Sequence, residues 1–234
     1  MPQKSFKVND EYAKISEIIP GLFISGVSGL TLENIKKYQI SMIINATTEV
    51  PQLKMFGNIA RQKLWLEDKP DVDIYSFLDF LSDQIEVNIA DGGNVLVHCV
   101  AGVSRSASIC LAYLTKYKCR SLRDAYHLMI DKRPLVRPNL GFWQALITYE
   151  KTIKGNSGSV RLISDPAQQD NLLPDVYLRL AIQNKPESID SSENASKKAR
   201  NQANKIKFQP ILETLSEGTE GIDKDSLVDK DCDN

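Results

Sequence analysis

Residues 95–114 read VLVHCVAGVSRSASICLAYL, and this stretch restricts the fold more than any other. It opens on a strand-length apolar run without polar interruption, as a strand covered on both faces requires. It closes on ICLAYL, whose apolar residues recur at helical spacing. Between the two lies a turn of small residues, VAGVS. A buried strand feeding straight into an amphipathic helix belongs to a parallel sheet whose faces are covered by helices.

The first two thirds of the chain repeat that grammar. GLFISG (21–26) and ISMIINA (40–46) read as strands, and ARQKLWLED (60–68) alternates weakly before the turn EDKPDVD. Helical spacing predicts helices over 31–38, 74–90, 121–132 and 140–153. Thr31 with Glu33 and Asn34, and Ser121 with Asp124, form capping-box patterns. DGG ends the 74–90 helix, and the prolines of RPLVRPN exclude helix before Asn139, which occupies an N-cap position. The expected class is α/β, with a central, largely parallel sheet flanked by helices.

Composition changes near residue 155. The expected organisation is an N-terminal extension over 1–14, one catalytic domain over 15–155, a segment over 156–180 packed on it, and a tail over 181–234. SVRLISDP reads as a further strand, and LLPDVYLRL has enough apolar residues to dock. NKPESIDSSENASKKARNQANKIK is polar and lacks aromatic residues, so the tail is predicted to be disordered: it cannot bury enough apolar surface to offset chain entropy.

Several function classes are disfavoured. A formal net charge of -1 over 234 residues gives no reason to expect a nucleic-acid or membrane partner. No apolar run is long enough to span a bilayer, and MPQKSFKVNDEYAK lacks the apolar segment of a signal peptide. Cys99, Cys110, Cys119 and Cys232 have no metal-ligand spacing, and there are only two histidines, so a structural zinc site is not expected. A reducing, intracellular compartment is the natural setting.

Most free cysteines are small buried hydrophobes, and Cys110 and Cys119 are read that way. Three features separate Cys99. It stands at the carboxyl end of a presumed parallel strand, where open α/β sheets place ligands. The following VAGVSR is a tight loop ending at a helix N-terminus, where inward backbone N–H groups form an anion cradle. Arg105 lies six residues on, placed to grip two oxygens of an oxyanion. Helix N-termini and cationic neighbours lower a thiol to roughly pKa 3.5–7.5. A thiolate beneath a phosphate cradle suggests a covalent thiophosphate intermediate.

HCVAGVSRS is similar to the signature of the cysteine-dependent protein tyrosine phosphatases: His-Cys, five residues, Arg, then Ser or Thr. AGVSRSAS followed by AYL resembles its dual-specificity form. With GLFISG, INAT, RPNLGFWQALITYE and LPDVY, the resemblance to the small atypical dual-specificity phosphatases covers about residues 15–178, with LPDVY pointing to the subgroup nearest the MAP kinase phosphatases. The resemblance implies a protein tyrosine phosphatase-like fold, with Cys99 as nucleophile and Arg105 as phosphoryl clamp. It makes the N–H groups of Val100, Ala101, Gly102, Val103, Ser104 and Arg105 the phosphate donors. Among the acidic residues of WLEDKPDVD, which composition does not separate, it selects Asp68 as general acid over Glu67, Asp71 and Asp73. Ser106 would assist the leaving thiolate, His98 would support the thiolate through hydrogen bonding, and Asn139 would brace the loop. Arg133 and Arg137 could add positive potential.

The implied reaction is hydrolysis of phosphotyrosine and phosphoserine or phosphothreonine in proteins, with MAP kinase pathway members as partners and no metal or cofactor. The implied location is the cytoplasm, extending to the nucleus. KKARNQANKIKF (197–208) loosely resembles a kinase-docking motif, although a solvated basic run is the better explanation of it. A phosphate-binding module without turnover, and a phosphatase of a non-protein phosphate monoester, are the alternatives. VAGVS has no lysine with which to meet the extra phosphates of a polyanionic substrate.

Overall fold

Strand β5 (Val95–His98) is the spine of the fold. The computed structural model of the protein, which describes residues 14–178 apart from 53–55, 58, 156 and 166–167, sets β5 between β2 (Leu22–Ser25) and β3 (Met42–Ala46), parallel to both. β4 (Ala60–Leu64) extends the parallel run beyond β3. β1 (Ser16–Ile19) closes the other edge antiparallel to β2, giving the order β1-β2-β5-β3-β4. The sheet is therefore largely parallel, as expected. β1 is an addition to the sequence reading: SEII is too short to announce itself and is paired through a turn at Pro20–Gly21.

Alternate residues of the central strands serve two cores, as the period of a strand demands. Leu22, Ile24, Ile44, Val95 and Val97 face a large core under four helices. These are α2 (Tyr75–Ala90), α3 (Arg105–Tyr113), α4 (Leu122–Lys132) and α5 (Leu140–Lys154). Phe23, Ile43 and Leu96 face the other side, with Ile35 of α1, a helix spanning Leu32–Lys37. That double burial is why these strands read as unbroken apolar runs. The expected caps form: Thr31, Ser121 and Asn139 accept from the N–H groups of Asn34, Asp124 and Phe142 at 3.1, 3.1 and 2.9 Å. After Tyr113 the helix that carries ICLAYL widens into a π-turn over Leu114–Lys118, closed by the Cys119 N–H on the Leu114 carbonyl at 2.7 Å.

The segment after Gly155 forms a hairpin of β6 (Leu162–Asp165) and β7 (Gln168–Pro174), followed by a docked turn. Val176 is fully buried, and Arg123 ties the segment to α4 through the Ser159 carbonyl and the Asp175 carboxylate, both at 2.7 Å. Tyr177 accepts a 2.7 Å hydrogen bond from Trp143 Nε1, and the Arg137 guanidinium sits 4.6 Å from its ring centre. The expected extension over residues 1–14 falls, but for Lys14, outside the described residues, as do the expected disordered tail over 181–234 and the docking-like run at 197–208. Among the described residues no helix is long and apolar enough to cross a membrane.

The docked turn is expected to carry part of the domain's stability. Tyr177→Phe, which removes only the bond to Trp143, should cost about 1 kcal/mol. Tyr177→Ala, which also empties the packing site, should cost about 2 kcal/mol or more. Urea unfolding of the two variants measures both.

Candidate active site

The loop between β5 and α3 is organised by what holds its carbonyls. His98 Nδ1 lies 3.4 Å from the Cys99 oxygen, and the Val27 N–H donates to Val100 O at 2.9 Å. Arg133 donates to Ala101 O at 3.1 Å and to Gly102 O at 2.8 Å. The Arg137 N–H takes Val103 O at 2.9 Å, and Ser108 takes Ser104 O at 2.8 Å through both its N–H and its hydroxyl. In a trans peptide the N–H points opposite the carbonyl. Carbonyls of residues 99–104 tied outward therefore leave the N–H groups of Val100, Ala101, Gly102, Val103, Ser104 and Arg105 facing the enclosed space.

Cys99, 2% exposed, lies at the floor of that space. Its Sγ accepts from the Gly102 N–H and from the Ser106 hydroxyl, each at 3.2 Å. Two donors converging on one sulfur suit a thiolate. Gly102 has φ +70°, and a Cβ there would stand 2.6 Å from the backbone of Ser25, so only glycine fits. His98, the last residue of β5, is buried. Burial, with the positive charges of Lys63 and Arg105 acting in the same direction, lowers its imidazole to about 4 against the opposing pull of the Cys99 carbonyl. The ring is neutral at physiological pH.

Arg105 folds back over the cradle. Its Nη1 donates to Glu49 Oε2 at 2.8 Å and to the Leu66 carbonyl at 3.1 Å. Its Nε, buried and without a hydrogen-bond partner, lies 3.8 Å from Asp68 Oδ2. Burial works against the guanidinium charge, but Cys99, Glu49 and Asp68 more than restore it, and its pKa is raised. At Glu49 burial works to raise the carboxyl, but the hydrogen bond and charge of Arg105 prevail and hold it below its ordinary value. A braced turn presents Glu49. Asn45 Nδ2 and Lys63 Nζ both donate to Val50 O, at 2.9 and 2.5 Å, and Thr47 Oγ1 accepts from the Val50 N–H at 3.1 Å.

Asp68 is docked at the rim. Its Oδ1 accepts from the Ser104 hydroxyl at 2.7 Å and from Asn139 Nδ2 at 2.8 Å. Oδ2 is the oxygen nearer Arg105. The approach depends on Gly141 in the first turn of α5: a Cβ there would stand 1.8 Å from the Pro70 carbonyl oxygen.

All the residues singled out from the sequence meet here, with some contacts differing from expectation. Asn139 braces the loop through its backbone N–H, which donates to Ser104 Oγ at 3.1 Å, while its side chain caps α5 and holds Asp68. His98 touches the Cys99 carbonyl rather than its sulfur. Arg133, 3% exposed, also reaches Lys14 O and Ser16 Oγ and shapes the loop from behind. Arg137 serves the loop with its backbone and the C-terminal turn with its guanidinium. The charge of Arg133 acts on Cys99 from behind the loop, as expected of a source of positive potential. Glu49, the second role of Ser104 and the close approach at Gly141 were missed. Glu49 lies fifty-six residues from Arg105 and Gly141 seventy-one from Pro70, and no local pattern marks either.

Comparison with known proteins identifies this arrangement. Residues 22–152 match the family model described as "Dual specificity phosphatase, catalytic domain". The chain is 40% identical over 163 residues to human dual specificity protein phosphatase 21, covering 69% of this chain and 83% of that protein. It is 38% identical over 164 residues to mouse dual specificity protein phosphatase 14, covering 70% and 80%. A mouse putative dual specificity phosphatase crystallised with zinc tungstate superimposes with a TM-score of 0.57 at 31% identity, covering 60% of this chain and 89% of the other. A human tyrosine phosphatase-like serine/threonine/tyrosine-interacting protein gives 0.54 at 29% identity, covering 59% and 96%. The chain belongs to the dual specificity phosphatase family, and its fold is the protein tyrosine phosphatase-like one. Its catalytic domain is that of a protein phosphatase.

The ion pair between Glu49 and Arg105 has a pH signature. A carboxyl lowered on folding stabilises the fold above its unfolded value, 4.5, and loses that contribution as pH falls through the folded one. Wild type should exceed Glu49→Gln in urea stability at neutral pH, and the gap should close on acidification below 4.5. Gly141→Ala should leave Cys99 and its cradle in place but force Pro70, and with it Asp68, away from the rim. Catalytic turnover should then fall by about the 10²–10⁴-fold that a misplaced general acid costs, while inhibition by vanadate, which needs only cradle and sulfur, persists.

Proposed function

We propose that the chain hydrolyses phosphotyrosine and phosphoserine or phosphothreonine in proteins through a cysteinyl-phosphate intermediate. The observation that supports this best is the sulfur of Cys99 at the floor of an inward-facing N–H cradle, with Asp68 hydrogen-bonded over its rim. A phosphoryl group seated in the cradle meets the N–H groups of Val100 through Arg105 and the free Nε of Arg105. Those donors match the charge spread over the equatorial oxygens at the transition state. The Cys99 thiolate attacks phosphorus from the opposite side to the ester oxygen. As the P–O bond breaks, Asp68 Oδ2 gives its proton to the leaving oxygen. Asp68, now a carboxylate, takes a proton from water as that water attacks phosphorus. The S–P bond breaks, and the Ser106 hydroxyl stabilises the departing thiolate by the bond it already makes.

The intact set of nucleophile, clamp and acid favours turnover over a binding-only role. The absence of lysine from VAGVS favours a monophosphorylated site over a polyanionic one. We also propose MAP kinase pathway proteins as substrates, a reading that rests on family resemblance and on the basic run ahead of Ile206 and Phe208. It carries with it a signalling role in the cytoplasm and nucleus. Deletion of residues 181–234 should weaken turnover of a phosphorylated MAP kinase while leaving a small aryl phosphate unaffected; equal rates on the kinase would remove the docking role.

Nucleophile, acid and clamp are all side chains of this chain, so hydrolysis of a small aryl phosphate should persist in excess chelator. Cys99→Ser should abolish it, and Asp68→Asn should lower kcat about 10²–10⁴-fold and remove the alkaline limb of the pH–rate profile. Metal-free turnover that survives Cys99→Ser would sink the mechanism.

A further inference from the structure

Ser104 stands at the N-cap of α3, yet its hydroxyl does not cap the helix. Serine is favoured at that position because its oxygen accepts from an N–H of the first turn. Thr31, Ser121 and Asn139 do so, each from the residue three positions on. Ser104 forgoes that stabilising bond. Its oxygen accepts instead from the Asn139 N–H at 3.1 Å, and its proton goes to Asp68 Oδ1 at 2.7 Å. Its carbonyl is taken at 2.8 Å by both the N–H and the hydroxyl of Ser108. With carbonyl and hydroxyl both engaged in a residue 6% exposed, the donor is held in one orientation.

The carboxylate that Ser104 holds has little packing of its own. Glu67, Asp68, Lys69, Pro70 and Asp71 are all exposed, so few buried contacts fix where the Asp68 carboxyl points. Two donors on Oδ1 do, Ser104 Oγ and Asn139 Nδ2. The Asn139 bond lies at the surface, where water competes for it, whereas the Ser104 bond starts from a buried hydroxyl pinned on its other side. What that placement is worth depends on the ester. A general acid counts for more as the leaving oxygen becomes more basic. Tyrosine leaves as a phenolate, the anion of an acid near pKa 10, and serine and threonine leave as far more basic alkoxides. The cradle and Arg105 meet the same phosphoryl oxygens in either ester and do not separate the two. The placement of the acid does.

We propose that Ser104 is, through its hydroxyl, the positioning residue that extends the reaction from phosphotyrosine to phosphoserine and phosphothreonine. The proposal rests on the phosphatase reading above, with Asp68 as acid, and adds what decides its range of esters. Ser104 acts through Asp68, which passes its proton to the leaving oxygen as the S–P bond forms and the P–O bond breaks.

The test measures kcat/KM, which reports departure of the ester oxygen whichever later step limits kcat, for wild type, Ser104→Ala, Asp68→Asn and the double variant. The substrates are nitrophenyl phosphate, whose leaving oxygen is weakly basic, and matched phosphotyrosine and phosphothreonine peptides. Ser104→Ala should lose about threefold on nitrophenyl phosphate, about tenfold on the phosphotyrosine peptide and about a hundredfold on the phosphothreonine peptide. In the Asp68→Asn background the same substitution should change the phosphotyrosine peptide by less than about twofold, because no acid is left to position. Alanine keeps the backbone N–H at 104, so vanadate, which needs cradle and sulfur, should still inhibit Ser104→Ala. An equal loss on all three substrates overturns the proposal. So does a tenfold loss that persists without Asp68, or a loss of vanadate inhibition. Absence of wild-type turnover on every substrate would instead remove the phosphatase reading, and this proposal with it.

Discussion

Everything in this domain that concerns phosphate depends on six carbonyls being held outward. A chain of NH dipoles converging on one point is electrostatically unfavourable while the point is empty, so the loop from Cys99 to Arg105 has to be held from outside. The holders come from all over the fold: His98 on β5, Val27 after β2, Arg133 at the end of α4, Arg137 before α5, and Ser108 inside α3. Arg133 matters most, because its guanidinium takes two successive carbonyls and is anchored in turn to Lys14 and Ser16 at the chain's entry. Burial lowers its pKa, yet a guanidinium keeps its proton and its donor geometry in such surroundings.

Asp68 is coupled to the loop by a shared hydroxyl. Ser104 belongs to the loop, accepts from the Asn139 N–H, and donates to Asp68. Asn139 completes the triangle from its side chain and uses its remaining oxygen to start α5. Loop, acid and helix cap thus share one set of bonds, and the glycine at 141 lets the acid's turn come close enough to join them.

How much of this was legible in the sequence follows from distance along the chain. The strand–loop–helix unit, its cysteine and its arginine sit within eleven residues, so periodicity and small-residue content exposed them together. The capping residues Thr31, Ser121 and Asn139 were legible for the same reason: a cap acts on an N–H three residues away. Asp68 could be chosen among four acidic neighbours only by resemblance, since what distinguishes it is contact with Ser104 and Asn139, thirty-six and seventy-one residues on. Glu49 had no such help. A lone acidic residue in ATTEVP reads as a solvated turn, and its meaning comes from a parallel strand pairing that sequence pattern does not encode. β1 was hidden by its brevity, and the π-turn after α3 by the fact that one extra residue barely disturbs an apolar stripe.

The charges around Arg105 also bear on the order of events. The guanidinium of Arg105 is shared by Glu49, Asp68 and Cys99, which together raise its pKa. A dianionic phosphate brings more negative charge to the same place and competes directly with Asp68 for Nε. Glu49 remains on Nη1 and keeps the guanidinium oriented while Nε changes partners. The braced turn at 47–50 thus holds the guanidinium of Arg105 in place through Glu49.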